Sequence, residues 1–223
     1  KTLSLAEALK SNEQLLERHL GRHARCEENP FVALNTAFFT DGAFVHVPAG
    51  NQIEEPIHLL FLQSACGATA HPRNLVVAGP GSCCRIIEHY VSLTDAPALT
   101  NAVTEIFVGD GASLEHCKWQ AESLSAFHIA TIQVGQEGRS RVTQHSISTG
   151  ARIARNDIHL VLGGEGIESV LNGLYLGVGE QLVDHHTVVD HAKPRCASHE
   201  FYNGILDGKS KGVFNGKIFV RED

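Results

Sequence analysis

The residues best suited to chemistry lie in a histidine-rich run at 183–191, which reads VDHHTVVDH. Such a run suggests a metal site, because imidazole and carboxylate groups are common ligands of divalent ions. In a strand, neighbouring side chains point to opposite faces, so His185 and His186 would point apart, and His185 and His191 would lie about 20 Å apart. Asp184 and His186, about 6.6 Å apart on one face, are then the only local pair that can chelate one ion. The alternative is a partly exposed polar stretch.

A second metal candidate is the pair Cys196 and His199, which has the two-residue gap found in zinc and iron–sulfur motifs. The sequence has no second pair of this kind, and a small buried thiol is the alternative. Asp184, His186, Cys196 and His199 are therefore weak metal candidates.

Motifs of the common enzyme classes are absent from the sequence. It has no Gly-x-Ser-x-Gly elbow, no phosphate loop, no dinucleotide fingerprint and no His-Glu-x-x-His. Glu105, Glu115 and Glu168 could serve a polysaccharide-cleaving β-helix, which needs paired carboxylates. Nothing in the sequence pairs them, and we expect each on a solvated strand face. We therefore predict no catalytic residue.

Composition narrows the class of protein. The 223 residues include 43% hydrophobic ones, enough for a substantial core, and no apolar run reaches the roughly 20 residues of a membrane helix. Eighteen Lys and Arg against 25 Asp and Glu give a net charge of −7, which does not favour nucleic acid. Six dispersed cysteines and no signal-peptide pattern at the start indicate a reducing cytoplasm.

The elements that would position these residues change character near Phe38. Residues 4–7 (SLAE) and 11–14 (SNEQ) each match a helix capping box, and Leu15, Leu16 and Leu20 form an apolar stripe that ends at Gly21. These patterns predict two short helices in an N-terminal helical segment, 1–29. From about Phe38 the hydrophobic period is 2, which indicates strands.

Glycine-containing breaks divide the strand region, beginning at residues 79, 109, 135 and 163, so that they are 30, 26 and 28 residues apart. A degenerate repeat of this length favours a solenoid of β-coils that bury inward side chains on their neighbours. A β-sandwich with Asn-Gly and Asp-Gly hairpins fits the same pattern equally well. In a β-helix, we expect Val103, Ile132, Leu160 and Leu174 to face the interior of successive coils.

Several ordered motifs resemble the SufB/SufD family of the SUF iron–sulfur cluster assembly system, most closely its SufD branch. They are residues 115–118 (EHCK), 126–131 (AFHIAT), 154–157 (ARND), 171–175 (LNGLY), 204–208 (GILDG) and 212–218 (GVFNGKI). The resemblance covers about residues 30 to 220. It implies a right-handed parallel β-helix core between helical regions, and thus a core at 30–223 that continues into a C-terminal helical region outside this sequence.

The same resemblance implies a function. It indicates a scaffold subunit that pairs with a SufB-like protein and binds a SufC-like ATPase, without enzymatic activity of its own. The family's C-terminal Cys and His, implicated in handling iron or cluster, lie beyond residue 223, so Cys196 and His199 do not correspond to them. We therefore expect no cluster on this segment alone, and an iron–sulfur cluster only within the complex. A carbohydrate-active β-helix and a stand-alone metal-binding solenoid are the alternatives.

The last strand-like run predicts a subunit interface. Residues 213, 215, 217 and 219 would share one face, and the other face is apolar enough for the interior. Phe219 would then be an apolar residue on a polar face, and an open β-helix end has unpaired backbone groups that need cover. Since members of the SufD branch self-associate, the resemblance implies a homodimer through Val213, Phe214, Phe219 and Val220. The alternative is that residues of the same chain beyond 223 cover this coil.

Overall fold

The computed structural model describes residues 1–11, 13–27 and 29–222. In this part of the chain, a short strand and three helices at the N-terminus precede a long series of strands. The helices are α1 (Leu5–Ser11), α2 (Glu13–His19) and α3 (Pro30–Phe38). The strands are β1 (Thr2–Ser4), β2 (Ala43–Val47), β3 (Ile57–Gln63), β4 (Thr69–Ala70), β5 (Arg73–Ala78), β6 (Cys83–Ser92), β7 (Leu99–Val108), β8 (Ser113–Ala121), β9 (Phe127–Gln136), β10 (Arg141–Ser148), β11 (Ile153–Leu162), β12 (Glu168–Gly177), β13 (Leu182–His191), β14 (Ala197–Leu206) and β15 (Lys211–Val220).

The strands of the described residues form two sheets that alternate along the chain. Sheet A has the order β1-β2-β5-β7-β9-β11-β13-β15, with β4 also paired to β7, and sheet B has the order β14-β12-β10-β8-β6-β3. Every pairing is parallel except that of β1 with β2. Each coil thus adds one strand to each sheet. This confirms the parallel β-helix with a short N-terminal helical segment and excludes the antiparallel sandwich.

The predicted glycine breaks are corners of the coils. Gly111 has φ +66°, a left-handed conformation that disfavours residues with a Cβ. A Cβ on Gly109 would lie 2.7 Å from the backbone nitrogen of Pro80 in the coil below. The repeat visible in the sequence therefore comes from tight corners that stack on one another.

The N-terminal segment covers the outer face of sheet A at its first coils. Glu7 N donates to Ser4 Oγ at 3.2 Å, as the first capping box predicts, whereas the second box includes Asn12, which lies outside the described residues. Helix α3 is not among the two short helices that the capping boxes predict. The Asn29 side chain caps this helix by accepting from Phe31 N, and Pro30 occupies its first turn, where no amide donor is needed.

Two of the four interior predictions are confirmed and two are wrong. Ile132 and Leu160 lie in the main core between the sheets. Val103 is buried on the outer face of sheet A, where it packs under Ala24 and Val32 of the N-terminal segment. Leu174 is exposed on the outer face of sheet B. Alternation identifies two faces of a strand, but it does not say which face is interior when both carry apolar residues.

Candidate functional site

The space between the two sheets is apolar on one side and polar on the other. Val76, Ile106 and Leu160 belong to the apolar side, which forms the main core. On the polar side, strands β6, β8 and β9 and the corner after β8 contribute a buried group that we call the interior charged cluster. Its members are Glu88, Tyr90, His116, Lys118, Glu122 and His128. Buried charged groups are expensive unless they are paired, so their partners define the site.

Glu88 is the most heavily bonded member. Its Oε1 accepts hydrogen bonds from Tyr90 OH, from Asn74 Nδ2 at 3.2 Å and from Thr104 Oγ1 at 2.9 Å. Its Oε2 lies 2.9 Å from His116 Nε2. Burial alone would raise the pKa of Glu88, but the hydrogen bond and charge of His116, with that of Tyr90, lower it to about 2. The carboxylate is therefore ionised in the folded protein at neutral pH.

Lys118 is the fully buried cation of this cluster. Its Nζ donates to Asn156 Oδ1 at 2.8 Å and lies 5.3 Å from the centre of the Tyr90 ring. Burial lowers the pKa of Lys118 to about 8, although the charges of Glu88 and Glu122 act in the opposite direction. The lysine therefore joins β8 of sheet B to β11 of sheet A through one charged hydrogen bond.

Glu122 forms the other end of the cluster. It accepts from Thr100 Oγ1 at 2.5 Å and from Gln120 Nε2 at 3.1 Å, and its Oε2 lies 2.6 Å from His128 Nδ1. Burial raises the pKa of Glu122, but His128, Thr100 and Gln120 outweigh this effect and lower it to about 2. Burial, followed by the charge of Lys118, lowers the pKa of His128, which favours the neutral ring.

The polar side continues toward the last coils. His185 lies between the rings of Tyr175 and Tyr202, with centroids 5.4 Å away in both cases. Neither ring nitrogen of His185 has a hydrogen-bond partner among the described residues. Burial and the charge of Lys118 lower the pKa of His185 to about 3. Orphaned buried polar atoms of this kind are typical sites for ordered water.

Asp184 and His186 are brought together, as their spacing predicts. They lie on the outer face of sheet A, and His186 Nε2 is 2.9 Å from Asp184 Oδ1. The other oxygen, Asp184 Oδ2, accepts from Arg155 Nη1 at 2.5 Å, and Arg155 also contacts Asp157. Both carboxylate oxygens therefore already have cationic or imidazole partners.

Cys196 and His199 occupy different environments. Cys196 is half-buried at the corner before β14, where its Sγ donates to the carbonyl oxygen of Gly164 at 3.2 Å. His199 is exposed on β14. Over the residues that the structure describes, no group of three or more His, Cys, Asp or Glu could hold a metal ion. The four metal candidates therefore remain a sequence prediction.

The three glutamates considered for glycoside chemistry each have a cationic or imidazole neighbour. Glu105 was expected on a solvated face, and this is wrong: its carboxylate is fully buried against Arg73, with Arg73 Nη2 2.6 Å from Glu105 Oε2. Glu115 lies 3.4 Å from His145 Nε2, and Glu168 lies 2.8 Å from Arg141 Nε. Glu105 is buried because the N-terminal segment covers it.

The predicted interface residues lie on the last strand, β15. Phe214 and Val220 continue the interior row of β13, since Phe214 pairs with His185 and Val220 with His191. Val213, Phe214, Phe219 and Val220 are all exposed, by 37% for Phe219 and 77% for Val220. Phe219 is less isolated than expected. Lys217 Nζ lies 4.4 Å from its ring centre, and the Arg221 guanidinium lies 5.6 Å from it.

The interior charged cluster was missed by the sequence analysis, although a signal for it exists. Glu88 shares the parity of Ile86 and Tyr90 along β6, and Lys118 shares that of His116 on the next strand of sheet B. Charged residues at inward positions of consecutive strands are unusual. Recognising them requires the coil register, which the period of about 28 residues fixes only approximately.

Comparisons with known proteins identify the family of this chain. A family model described as the SufBD core domain of SUF system FeS cluster assembly matches residues 61–223, and one described as the SufBD protein N-terminal region matches residues 1–59. In the parts of the chain that are described, no helix is long and apolar enough to cross a membrane.

Individual relatives point the same way. An iron–sulfur cluster assembly SufBD family protein of Synechocystis sp. is 32% identical over 92% of this chain and 47% of its own length. The iron–sulfur cluster assembly proteins SufD of Escherichia coli and Bacillus subtilis are 29% and 24% identical over 86% and 94% of this chain, and over 46% and 48% of their own lengths. The chain thus spans about half the length of these relatives. It belongs to the SufBD family of the SUF system for iron–sulfur cluster assembly and is close to the family's SufD members.

Proposed function

We propose that this chain is the β-helical part of a SufD-like scaffold subunit that works with a SufB-like and a SufC-like protein to assemble iron–sulfur clusters. The two family matches, at 1–59 and 61–223, and the similarity to proteins named SufD support this role. In this proposal the chain is not an enzyme, and ATP hydrolysis belongs to the SufC-like partner. Its contribution is a rigid body that holds partner surfaces in position.

The observation that carries the scaffold proposal is the family match over residues 61–223, and the partner surface that we propose is the last described coil. Strands β14 and β15 are the outermost strands of their sheets at this end. Their exposed apolar side chains include Phe201, Ile205, Phe214, Ile218 and Val220. Phe201 and Ile205 lie on the outer face of sheet B, and Phe214, Ile218 and Val220 continue the interior row of sheet A. Exposed apolar side chains beside a strand edge are typical of protein interfaces. We propose that a SufB-like subunit covers this surface in the complex.

Copurification of the tagged protein from its own host tests the proposal. Val220→Asp places a charge in the proposed interface, and the control Leu93→Asp places one at another exposed apolar residue, between β6 and β7. We expect the wild type and Leu93→Asp to retain SufB-like and SufC-like proteins, and Val220→Asp to lose the SufB-like one. Equal recovery by both variants, with unchanged melting temperatures, would place the partner elsewhere.

In isolation, we propose that the same surface forms a homodimer. Sedimentation of the wild type and of Phe219→Asp at micromolar concentration tests this. A dimer that the substitution weakens is expected, because a carboxylate would face desolvation in the interface. If the wild type is already monomeric, the homodimer is wrong, whereas the scaffold role still depends on the copurification.

We also propose that this segment binds no cluster by itself, and that a cluster forms only in the complex. Anaerobic reconstitution with iron and sulfide, followed by absorbance and iron analysis, is the test. A stable cluster with stoichiometric iron that disappears in Cys196→Ala would contradict this proposal. The six cysteines are free thiols, which supports the further proposal that the protein works in the cytoplasm.

A further inference from the structure

The N-terminal segment forms one wall of a pocket on the outer face of sheet A. The pocket has a volume of about 420 Å³, within the range of about 300–1,000 Å³ that is usual for small-molecule sites. Its floor belongs to β7, β9 and β11, which lie in the middle of sheet A and have a paired strand on both sides. Its wall is the backbone that follows α2. The side chains that determine its chemistry are Arg22, His23, Arg25, Phe107, Glu137 and His159.

A glycine in sheet A makes room for this wall. In the outward row that crosses the sheet, Phe107 and Val161 have large side chains, whereas Gly135 between them has none. The His23 ring occupies the gap, because a Cβ on Gly135 would lie 2.8 Å from both Cε1 and Nδ1 of His23. His23 Nε2 is buried and has no hydrogen-bond partner among the described residues. The packed ring thus leaves one polar atom at the pocket wall for a ligand to satisfy.

The backbone of the wall is held in position before any ligand binds. Glu105 accepts hydrogen bonds from three N–H groups of residues 21–24, at 2.9–3.0 Å. Arg73 lies 2.6 Å from Glu105 and compensates its charge, so this carboxylate does not neutralise the other cations of the pocket. Arg22 belongs to the anchored stretch. A preorganised backbone of this kind lowers the entropic cost of binding.

The charge of the pocket is positive, although the whole chain has a net charge of −7. Arg22 donates from Nε to the carbonyl oxygen of Glu17 at 3.2 Å, and none of the described carboxylates forms an ion pair with it. Arg25 adds a second guanidinium, whose pair with Glu27, at 4.0 Å, is exposed and therefore weak. Glu137 is the single carboxylate in the lining. An anionic ligand is thus complementary to this pocket.

We infer that the pocket binds a small molecule that carries carboxylate or phosphate groups. Arg22 and Arg25 hold its anionic groups, His23 Nε2 donates a hydrogen bond to it, and its apolar part packs against Phe107. Guanidinium groups suit this role because their paired N–H donors match the geometry of carboxylates and phosphates. The scaffold role proposed above does not require this site, so the failure of either proposal leaves the other intact.

Isothermal titration calorimetry at low ionic strength tests the inference with two probes, inorganic pyrophosphate and tricarballylate, which distinguish the two anion chemistries. We expect saturable binding of at least one probe, with a Kd below about 1 mM that rises with added salt. Arg22→Gln should lower the affinity about tenfold or more, because it removes charge-assisted hydrogen bonds. The matched control is Arg152→Gln, at another exposed arginine, which precedes β11 and does not line the pocket, and it should change the affinity less than about twofold.

A third variant, His23→Phe, distinguishes a pocket from an exposed cationic surface. Phenylalanine keeps a ring over Gly135 and leaves both arginines in place, but it removes the Nε2 donor. We expect the affinity to fall about threefold or more while the melting temperature is unchanged. The inference is wrong if neither probe binds saturably up to about 5 mM, or if Arg22→Gln and Arg152→Gln lower the affinity equally. Unchanged affinity in His23→Phe would also contradict it, because the anion would then bind to the exposed arginines and not in the pocket.

Discussion

Removal of the Glu105 carboxylate should release the N-terminal segment from sheet A. Glu105 lies on β7 and faces outward, yet it is fully buried. Its Oε1 accepts from the backbone N–H groups of His23 and Ala24, both at 3.0 Å, and its Oε2 accepts from Gly21 N at 2.9 Å and Arg73 Nη2 at 2.6 Å. One side chain thus satisfies three backbone donors and a buried guanidinium.

The expected cost follows from these partners. In Glu105→Ala the Arg73 charge is left buried without its carboxylate, which typically costs about 3–5 kcal/mol. The three freed N–H groups add to this, but they recover water if the segment moves away, so the contributions are not additive. We expect the free energy of unfolding to fall by about 4 kcal/mol. Glu105→Gln retains one acceptor oxygen but also leaves the Arg73 charge uncompensated and turns an NH2 group toward other donors, so it should lose a similar amount.

Denaturant unfolding followed by circular dichroism measures the loss, and limited trypsin digestion locates it. Arg22 lies within the anchored stretch 21–24 and Arg25 follows it directly, so Glu105→Ala should accelerate cleavage after both. The control is Glu115→Ala, which removes a half-exposed carboxylate on sheet B and should cost less than about 1 kcal/mol. If Glu105→Ala resembles this control in both stability and cleavage, the anchoring role of Glu105 is wrong.

Three further outcomes are expected from the interior. Lys118→Met removes a buried positive charge that acts on Glu88 and Glu122 and leaves Asn156 Oδ1 without its donor. It should lower the free energy of unfolding by about 3–5 kcal/mol in a urea titration, and an unchanged value would contradict a stabilising role of this charge. His185 must stay neutral when folded, with its pKa lowered to about 3, so the unfolded state binds an extra proton below about pH 6.5. On acidification, His185 should therefore lower the free energy of unfolding by up to about 1.4 kcal/mol per pH unit. His185→Gln should flatten the plot of unfolding free energy against pH between about pH 6.5 and 4. Leu160→Ala should cost about 2–5 kcal/mol and exposed Leu174→Ala less than about 0.5 kcal/mol by thermal or denaturant unfolding, which ranks the two faces directly.

The sequence carried enough information for the strands but not for their faces. Period-2 alternation and stacked glycine corners predict where the chain turns, because both are local requirements. Whether Val103 faces inward depends on what covers the other side of its strand, and the covering residues Ala24 and Val32 are distant in sequence. Glu105 was misplaced for the same reason. Whether an outward residue of sheet A is buried in this fold depends on the N-terminal segment that covers the sheet, and the strand pattern carries no information about that segment.

The candidate site was harder to predict than the fold for a different reason. Asp184 and His186 attract attention because they are adjacent on one strand, and the structure does place them together. Glu88 and His116 are equally close in space, yet they are a whole coil apart in sequence. A pair of residues from neighbouring coils can be predicted only when the register between the two coils is known with single-residue accuracy.

The interior charged cluster also explains how this register is held. If a strand shifted by one residue along its neighbour, its inward apolar side chains would turn outward to solvent. The alternation of inward and outward side chains is therefore enough to prevent this shift. If a strand shifted by two residues along its neighbour in the next coil, inward side chains would still face inward. The apolar side of the interior would still be filled with similar side chains. The shift by two residues would, however, separate Glu88 from His116 and Lys118 from Asn156, and leave buried charges without partners. The charged cluster therefore selects one coil-to-coil register among those that hydrophobic burial permits, and a fixed register is what a scaffold of the proposed kind needs to present its surfaces in constant positions.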